Sequence, residues 1–406
     1  MAPVETFADL IAPVSAADFF RNHWEKTYLH CENAPDRFAQ YFSVDAMDRW
    51  MASVRSGPSN SILFKREENG ERKTDRYRPE ELRFGLAYEA LSRGSSVVLN
   101  QVEDYHSVAG LAKSLAADFH ATIGVNAYFT PPNAKTFPIH TDEHDVLVLH
   151  LHGEKVWHIH DLSFLQVDLP QKQHLKLPAE WYQRTETPEI AKVRLTPGDL
   201  LYLPRGMPHY AVATDSACLH LTVSITPLYW MDVLKIATEH VAARSEELRR
   251  VLPPGFVAGS DEEQMEQMRR QYQEARDAFL EHATFDDVLA AVRRNRVTHQ
   301  SFPADGHLED LLHADELTPE TRVERRQGVL CVVDEILDPQ QRPKATLFFG
   351  QQRFSGPPRL RRSFEFIRDR ERFSVSEIPG LDANGQVMVA KRLVKDGLLR
   401  LASSEG

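Results

Sequence analysis

Two side chains separated by one residue, His140 and Asp142 in PIHTDEHDVLVLHLHGEKVWHIH, have the types and spacing to grip one metal ion. On a β-strand, residues two apart point to the same face, and the β-branched run that follows, DVLVLHL, puts this pair at the start of a strand. A helical reading exists, because His140 and His144 are four apart, but Pro138 ahead of them and the β run behind them oppose it. The third ligand candidate is His209 in LTPGDLLYLPRGMPHYAV, where a turn delivers a histidine to the start of another short strand. Two imidazoles and one carboxylate on one side of a metal leave coordination positions open. That is the donor set of non-haem Fe(II) sites rather than of thiolate-rich zinc sites.

The stretch from 138 to 160 holds six of the chain's 18 histidines: His140, His144, His150, His152, His158 and His160. The last four are expected on paired strands around the tight HGEK turn, as structural or surface residues. His144 could support the ligands without being one. Lys155 follows Gly153 and shares the parity of Trp157 and Ile159, which points it to the inner face of a barrel. A lysine there needs an anionic partner, and a dicarboxylate co-substrate bound to the iron would supply it.

The elements that must position these groups are short. From about 123 to 228 the runs VNAYFTPP, DVLVLHLHGEKVWHIH, KVRLTPGDLLYLPRGMPHYAV and CLHLTVSITP, separated by Gly and Pro turns, predict a compact all-β barrel or sandwich. Residues 1 to about 120 are mixed, with helical patterns in SAADFFRNHWEKTYL and VAGLAKSLAADF and extended pieces in SILFKRE and SSVVLNQV. After Trp230 two amphipathic helices follow, broken by PPGF at 253 to 256. From about 301 strand-like VLCVVDEIL and ATLFFG precede two late helices, the second stopped by Gly397 before a final strand, which is the outline of a winged helix.

With 406 residues the chain is long enough for two or three domains. Apolar residues at 42% and charged residues at 26% describe a globular protein with a sizeable core. Cys31, Cys218 and Cys331 are too few and too scattered for a disulfide framework and suit a reducing, cytoplasmic setting. The opening MAPVETFADLIAP lacks the basic start of a signal peptide, and no apolar run is long enough to span a bilayer. A net charge of -11 disfavours nucleic acid and favours a basic partner. Between Arg353 and Arg400, eleven basic residues face six acidic ones, an excess that a packing module accommodates and that keeps a DNA-binding regulator as a rival.

These motifs together resemble the JmjC-type ribosomal oxygenases, 2-oxoglutarate-dependent protein hydroxylases of the cupin superfamily. FFRNHWEKTYLH is similar to their N-terminal signature, and VNAYFTPPNAKTFPIHTDEHDVLVLHLHGEKVWHIH to their N-x-Y-x-T-P, H-x-D and G-E-K-x-W core. PGDLLYLPRGMPH and HLTVS match the stretches that carry and follow the third ligand. The resemblance implies an α+β chain: a double-stranded β-helix (jelly-roll, cupin) JmjC domain over 1–228, a helical dimerisation region over 229–300 and a winged-helix domain over 301–406. It further implies Fe(II) on His140, Asp142 and His209, and 2-oxoglutarate held by Lys155 with Tyr128 and Thr222. Asn126 and Ser224 would line the substrate side. O2 would be the oxidant, a basic ribosomal protein the substrate and a homodimer the assembly. Arginine-directed bacterial relatives carry Arg where Lys155 stands, histidine-directed ones Lys, and NQVEDY at 100 to 105 replaces a Pro-Gln pair of the groove. Both arginine and histidine stay open as targets. A peptide natural-product precursor is the alternative substrate, and a cupin-type metal-binding regulator the alternative function.

Overall fold

The computed structural model describes residues 6–53, 62–69, 71–77, 89–161, 188–258, 261–299, 306–326 and 328–402. They fall into two compact units, Met1–Pro227 and Leu228–Gly406. Among the described residues no helix is long and apolar enough to cross a membrane.

The first unit is built on two antiparallel sheets. Its strands are β1 (Leu29–Cys31), β2 (Ile62–Glu68), β3 (Glu71–Tyr77), β4 (Ser96–Leu99), β5 (Thr122–Thr130), β6 (Asp145–His152), β7 (Lys155–His160), β8 (Glu189–Leu195), β9 (Leu200–Leu203), β10 (His209–Ala213) and β11 (Cys218–Thr226). The large sheet has the order β1-β9-β6-β11-β5-β4-β2-β3, and the small one β10-β7-β8. The run DVLVLH is apolar throughout because both faces of β6 are covered. Val146 and Val148 face inward with Leu201 and Leu203, meeting Trp157, Ile159, Val193 and Leu195 of the small sheet. Leu147 and Leu149 face outward, against Phe19 and Leu115 of the helices Ala16–Asn22 and His106–Phe119. Ser15 caps the first of these helices, its side chain accepting from the Asp18 amide at 3.1 Å.

The same alternation on β11 sends Leu219, Leu221, Val223 and Ile225 into the outer core, which leaves His220, Thr222 and Ser224 on the inner face. One expectation fails here. The strands flanking HGEK do not pair with each other: β6 pairs with β9 and β11, β7 with β8 and β10. Gly153, at φ +67°, turns the chain from one sheet into the other, and a Cβ there would collide with the Ala217 carbonyl. The turn is a corner, and no hairpin forms.

In the second unit, helices Trp230–Ala242, Glu262–His282 and Phe285–Thr298 precede a short helix, His307–His313. Two three-stranded antiparallel sheets follow. One joins β13 (Cys331–Leu337), β14 (Pro343–Phe349) and β15 (Gln352–Gly356). The other places β12 (Arg322–Arg325) between β16 (Arg372–Ser374) and β17 (Leu399–Leu401). Helices Arg361–Asp369 and Ala383–Lys395 bury Phe364, Ile367, Leu393 and Val394 against these sheets. Gly397, at φ +82°, ends the second of them.

Candidate metal centre and co-substrate pocket

His140, Asp142 and His209 converge. One ligand atom from each lies within 4.8 Å of the others, and Asp142 Oδ2 is 3.6 Å from His209 Nε2. Backbone pairing enforces this: the His140 and His209 amides each donate to the other's carbonyl, at 3.1 and 2.9 Å, and the Gly206 amide donates to the Asp142 carbonyl at 2.9 Å. Each imidazole is also oriented. His140 Nδ1 donates to the Pro138 carbonyl at 3.0 Å and His209 Nδ1 to the Met207 carbonyl at 2.9 Å. With the proton on Nδ1, the lone pair of each ring sits on Nε2, the state a metal ligand needs. These donors fit a divalent ion with one carboxylate and two neutral imidazoles.

The loop that carries His209 is tied down by a buried polar cluster. Tyr202 Oη donates to Asp145 Oδ1 at 2.7 Å, and Arg205 Nη1 donates to Asp145 Oδ2 at 3.1 Å. Arg205 also pairs with Glu25 of the WEK signature. Burial raises the Asp145 pKa, while Tyr202 and Arg205 act in the other direction. The motif that looks remote in sequence thus braces the turn before the third ligand.

Above the triad lies a cavity of about 140 Å³, roughly ten times the room one water needs. Asn126, Tyr128 and Thr222 line it, as does Lys155 at its inner wall. Ser224 does not: its hydroxyl donates to the Gly124 carbonyl at 3.0 Å, one inward position beyond Thr222 on β11. Lys155 is 2% exposed, and its ammonium donates to Thr130 Oγ1 at 3.1 Å. No carboxylate pairs with it among the described residues. Thr130 itself belongs to a buried hydroxyl cluster, with Ser96 Oγ 3.2 Å away and Thr136 Oγ1 2.7 Å from that Ser96 oxygen. Desolvation pushes the Lys155 pKa down. A buried ammonium with three N–H groups, one taken by a hydroxyl, fits an anionic ligand group.

Several lining residues lay outside the sequence reading: Lys65, Phe137, Thr136 and His220. Lys65 sits over the Phe137 ring, 5.0 Å from its centroid. His220 is a strand neighbour of both Tyr128 and His150. The two-residue period of CLHLTVS marks His220 as facing Thr222's side, a signal the sequence does carry. Of the other histidines, His150 is buried, donates through Nε2 to the Gly153 carbonyl at 2.9 Å and has its pKa lowered to about 4, chiefly by burial. His158 pairs with Glu189 at 2.6 Å and stacks on Tyr210.

Residues 100–233 match the JmjC domain family. A protein named bifunctional lysine-specific demethylase and histidyl-hydroxylase NO66, from Drosophila persimilis, is 32% identical over 224 residues, 54% of this chain and 31% of that protein. Human ribosomal oxygenase 1 is 28% identical over 326 residues, 77% of this chain and 48% of that protein. The chain therefore spans less than half the length of these curated relatives. Among solved structures, Escherichia coli ribosomal oxygenase YcfD superposes with a TM-score of 0.57 at 15% identity, covering 96% of this chain and 98% of that one. The same protein, solved in complex with cobalt and 2-oxoglutarate, gives 0.56 at 15% identity. Residues 100–233 are thus similar to the JmjC domain family, and the chain is similar in sequence to proteins named NO66 and ribosomal oxygenase and in fold to YcfD.

Proposed function

We propose that this protein is an Fe(II)- and 2-oxoglutarate-dependent oxygenase that hydroxylates an arginine or histidine side chain of a protein. The observation that carries the reading is the pairing of two features in one cavity. A triad of two Nδ1-anchored histidines and a carboxylate stands on one wall, and a buried ammonium with no carboxylate partner among the described residues stands on another. A cupin isomerase or a binding cupin has use for the first and none for the second.

His140, Asp142 and His209 would hold the iron, and Lys155 the distal carboxylate of 2-oxoglutarate. Bound there, the iron supplies O2-dependent oxidation of 2-oxoglutarate to succinate and CO2, coupled to hydroxylation. The chain's own task is placement. Thr130 holds the ammonium of Lys155 in position, Trp157 and Val146 give the cavity apolar walls, and Tyr128, Thr222 and Asn126 offer polar groups to co-substrate and target. Ser224, one inward position further along β11 with its hydroxyl donating to the Gly124 carbonyl, would offer its oxygen as an acceptor on the substrate side.

The charge of the cavity favours histidine over arginine. Among its described lining residues Asp142, a proposed ligand, is the one carboxylate, while Lys65 and Lys155 are both cationic. A guanidinium would lose its hydration there without a counter-charge; a neutral imidazole needs none. A basic ribosomal protein is the substrate class that the relatives' names suggest, and the chain's net charge of -11 suits it. The test is mass spectrometry of ribosomal proteins incubated with the protein, Fe(II), 2-oxoglutarate and O2. A gain of one oxygen atom on a histidine-containing peptide supports the reading, and no gain on any ribosomal protein counts against it.

We infer a homodimer from the second unit. Helix Glu262–His282 buries none of its residues, and Trp230, Leu234, Tyr272 and Leu280 are each more than half exposed. A twofold pairing of such faces would cover them. The β12, β16 and β17 sheet with helices Arg361–Asp369 and Ala383–Lys395 follows winged-helix order and reads as a packing module. The free cysteines Cys31, Cys218 and Cys331 suit a cytoplasmic location.

A further inference from the structure

We propose that His220 is a second anchor for the distal carboxylate of 2-oxoglutarate, donating a hydrogen bond from a neutral imidazole beside the ammonium of Lys155. This rests on the co-substrate reading above and adds a residue to it.

His220 lies at the middle of the large sheet, opposite Tyr128 on β5 and His150 on β6. Its ring is held on both faces. Tyr128 stacks on it with centroids 5.0 Å apart and planes 5° off parallel, and His150 lies at 6.3 Å and 8°. Trp157 meets it edge-on at 5.7 Å. The ring is thus fixed and 3% exposed, and it lines the cavity together with Lys155. Nδ1 is enclosed without a hydrogen-bond partner, and no described residue bonds Nε2.

A neutral imidazole carries one N–H donor and one acceptor. The enclosed Nδ1 cannot be reached from the cavity, so Nε2 is the nitrogen that carries the N–H there. Leaving that donor unmade in the interior costs its desolvation, and a ring fixed this firmly at a cavity wall calls for a partner inside the cavity. The surroundings also select its charge state. Burial first, and then the positive charge of Lys155, drive the His220 pKa well below the ordinary histidine value. Of the groups facing it, Lys155 is the one that can carry a positive charge beside it, while His150 is itself held neutral by burial. A second cation beside Lys155 would be repelled; a neutral donor is not. A carboxylate has two oxygens and accepts from both groups at once. Lys155 supplies the charge and His220 the direction.

The experiment is calorimetric titration of Mn(II)-loaded protein, without O2, against 2-oxoglutarate and against 2-oxobutyrate, which has the same keto-acid end and no distal carboxylate. His220→Ala is expected to weaken 2-oxoglutarate binding by about tenfold or more, the usual effect of losing a hydrogen bond to a charged group, with 2-oxobutyrate unchanged. His220→Asn, which keeps an N–H donor and is less disruptive to the stack than a truncation, is expected to recover most of the affinity. The proposal is overturned if His220→Ala binds 2-oxoglutarate as wild type does. It is equally overturned if both keto acids weaken together, since the loss would then lie at the metal end or in the fold. Wild type that binds 2-oxobutyrate and 2-oxoglutarate equally, or neither, overturns the co-substrate reading itself.

Discussion

Replacing Lys155 by methionine should move stability and affinity in opposite directions. The side chain is 2% exposed, and its one protein hydrogen bond among the described residues runs to Thr130 at 3.1 Å. Burial lowers its pKa. Between that depressed value and the ordinary lysine range, the unfolded chain binds more protons than the folded one. Stability of the ligand-free protein therefore rises with pH across that window. Methionine, unbranched and of similar length, removes the buried charge, so Lys155→Met should melt higher than wild type at pH 7 and lose the rise towards pH 10. The ligand effect is the reverse. Losing a hydrogen bond to a charged group costs about 1.5–3 kcal/mol, roughly ten- to a hundredfold in affinity. At a ligand concentration of 100 Kd, 2-oxoglutarate stabilises wild type by about 2.7 kcal/mol. A hundredfold weaker variant at the same concentration gains only about 0.4 kcal/mol. Thermal melts of metal-loaded protein, with and without 2-oxoglutarate at several pH values, measure both. A variant that melts lower without ligand, or keeps the full ligand shift, refutes the assignment of Lys155 as a desolvated carboxylate anchor.

Thr130→Val removes the hydroxyl that holds the Lys155 ammonium, and urea unfolding should show a loss of about 1–3 kcal/mol, since Ser96 and Thr136 bond to each other rather than to Lys155. Gly153→Ala places a Cβ against the Ala217 carbonyl at a positive φ, so it should cost more than the roughly 1–2 kcal/mol of a left-handed conformation alone; denaturant titration checks it. Light scattering at micromolar concentration should report twice the 46.3 kDa chain mass, and a monomer there would remove the proposed use of the exposed helix faces.

The convergence of His140, Asp142 and His209 was legible because its signals are local. A two-residue strand period sets His140 beside Asp142, and a Pro-Gly-rich turn delivers His209. Lys155 was legible for the same reason, its parity with Trp157 and Ile159 fixing which face it shares. The misreading of HGEK as a hairpin has a physical cause. A glycine turn between two β runs looks alike whether the strands pair or cross between sheets; what separates the cases is the Ala217 backbone packed against Gly153, more than sixty residues away. The Thr130 cluster and the neighbours of His220, whose face alone the CLHLTVS period gives, were missed on similar grounds. Their place beside Lys155 depends on the register of β11 against β5 and β6, which pairs Thr130 with Cys218 and His220 with His150. Glu25 gave no sign of its link to Arg205, a contact across 180 residues.

His140, Asp142 and His209 are proposed to hold an iron that supports turnover of 2-oxoglutarate. Succinate formation by the purified protein with Fe(II), 2-oxoglutarate and O2 tests it most directly, read for wild type and for folded Asp142→Ala. Fe(II)-dependent succinate is expected from wild type, abolished by a chelator, and none from Asp142→Ala. Equal turnover in the two proteins, or turnover by wild type that persists without metal, would contradict it.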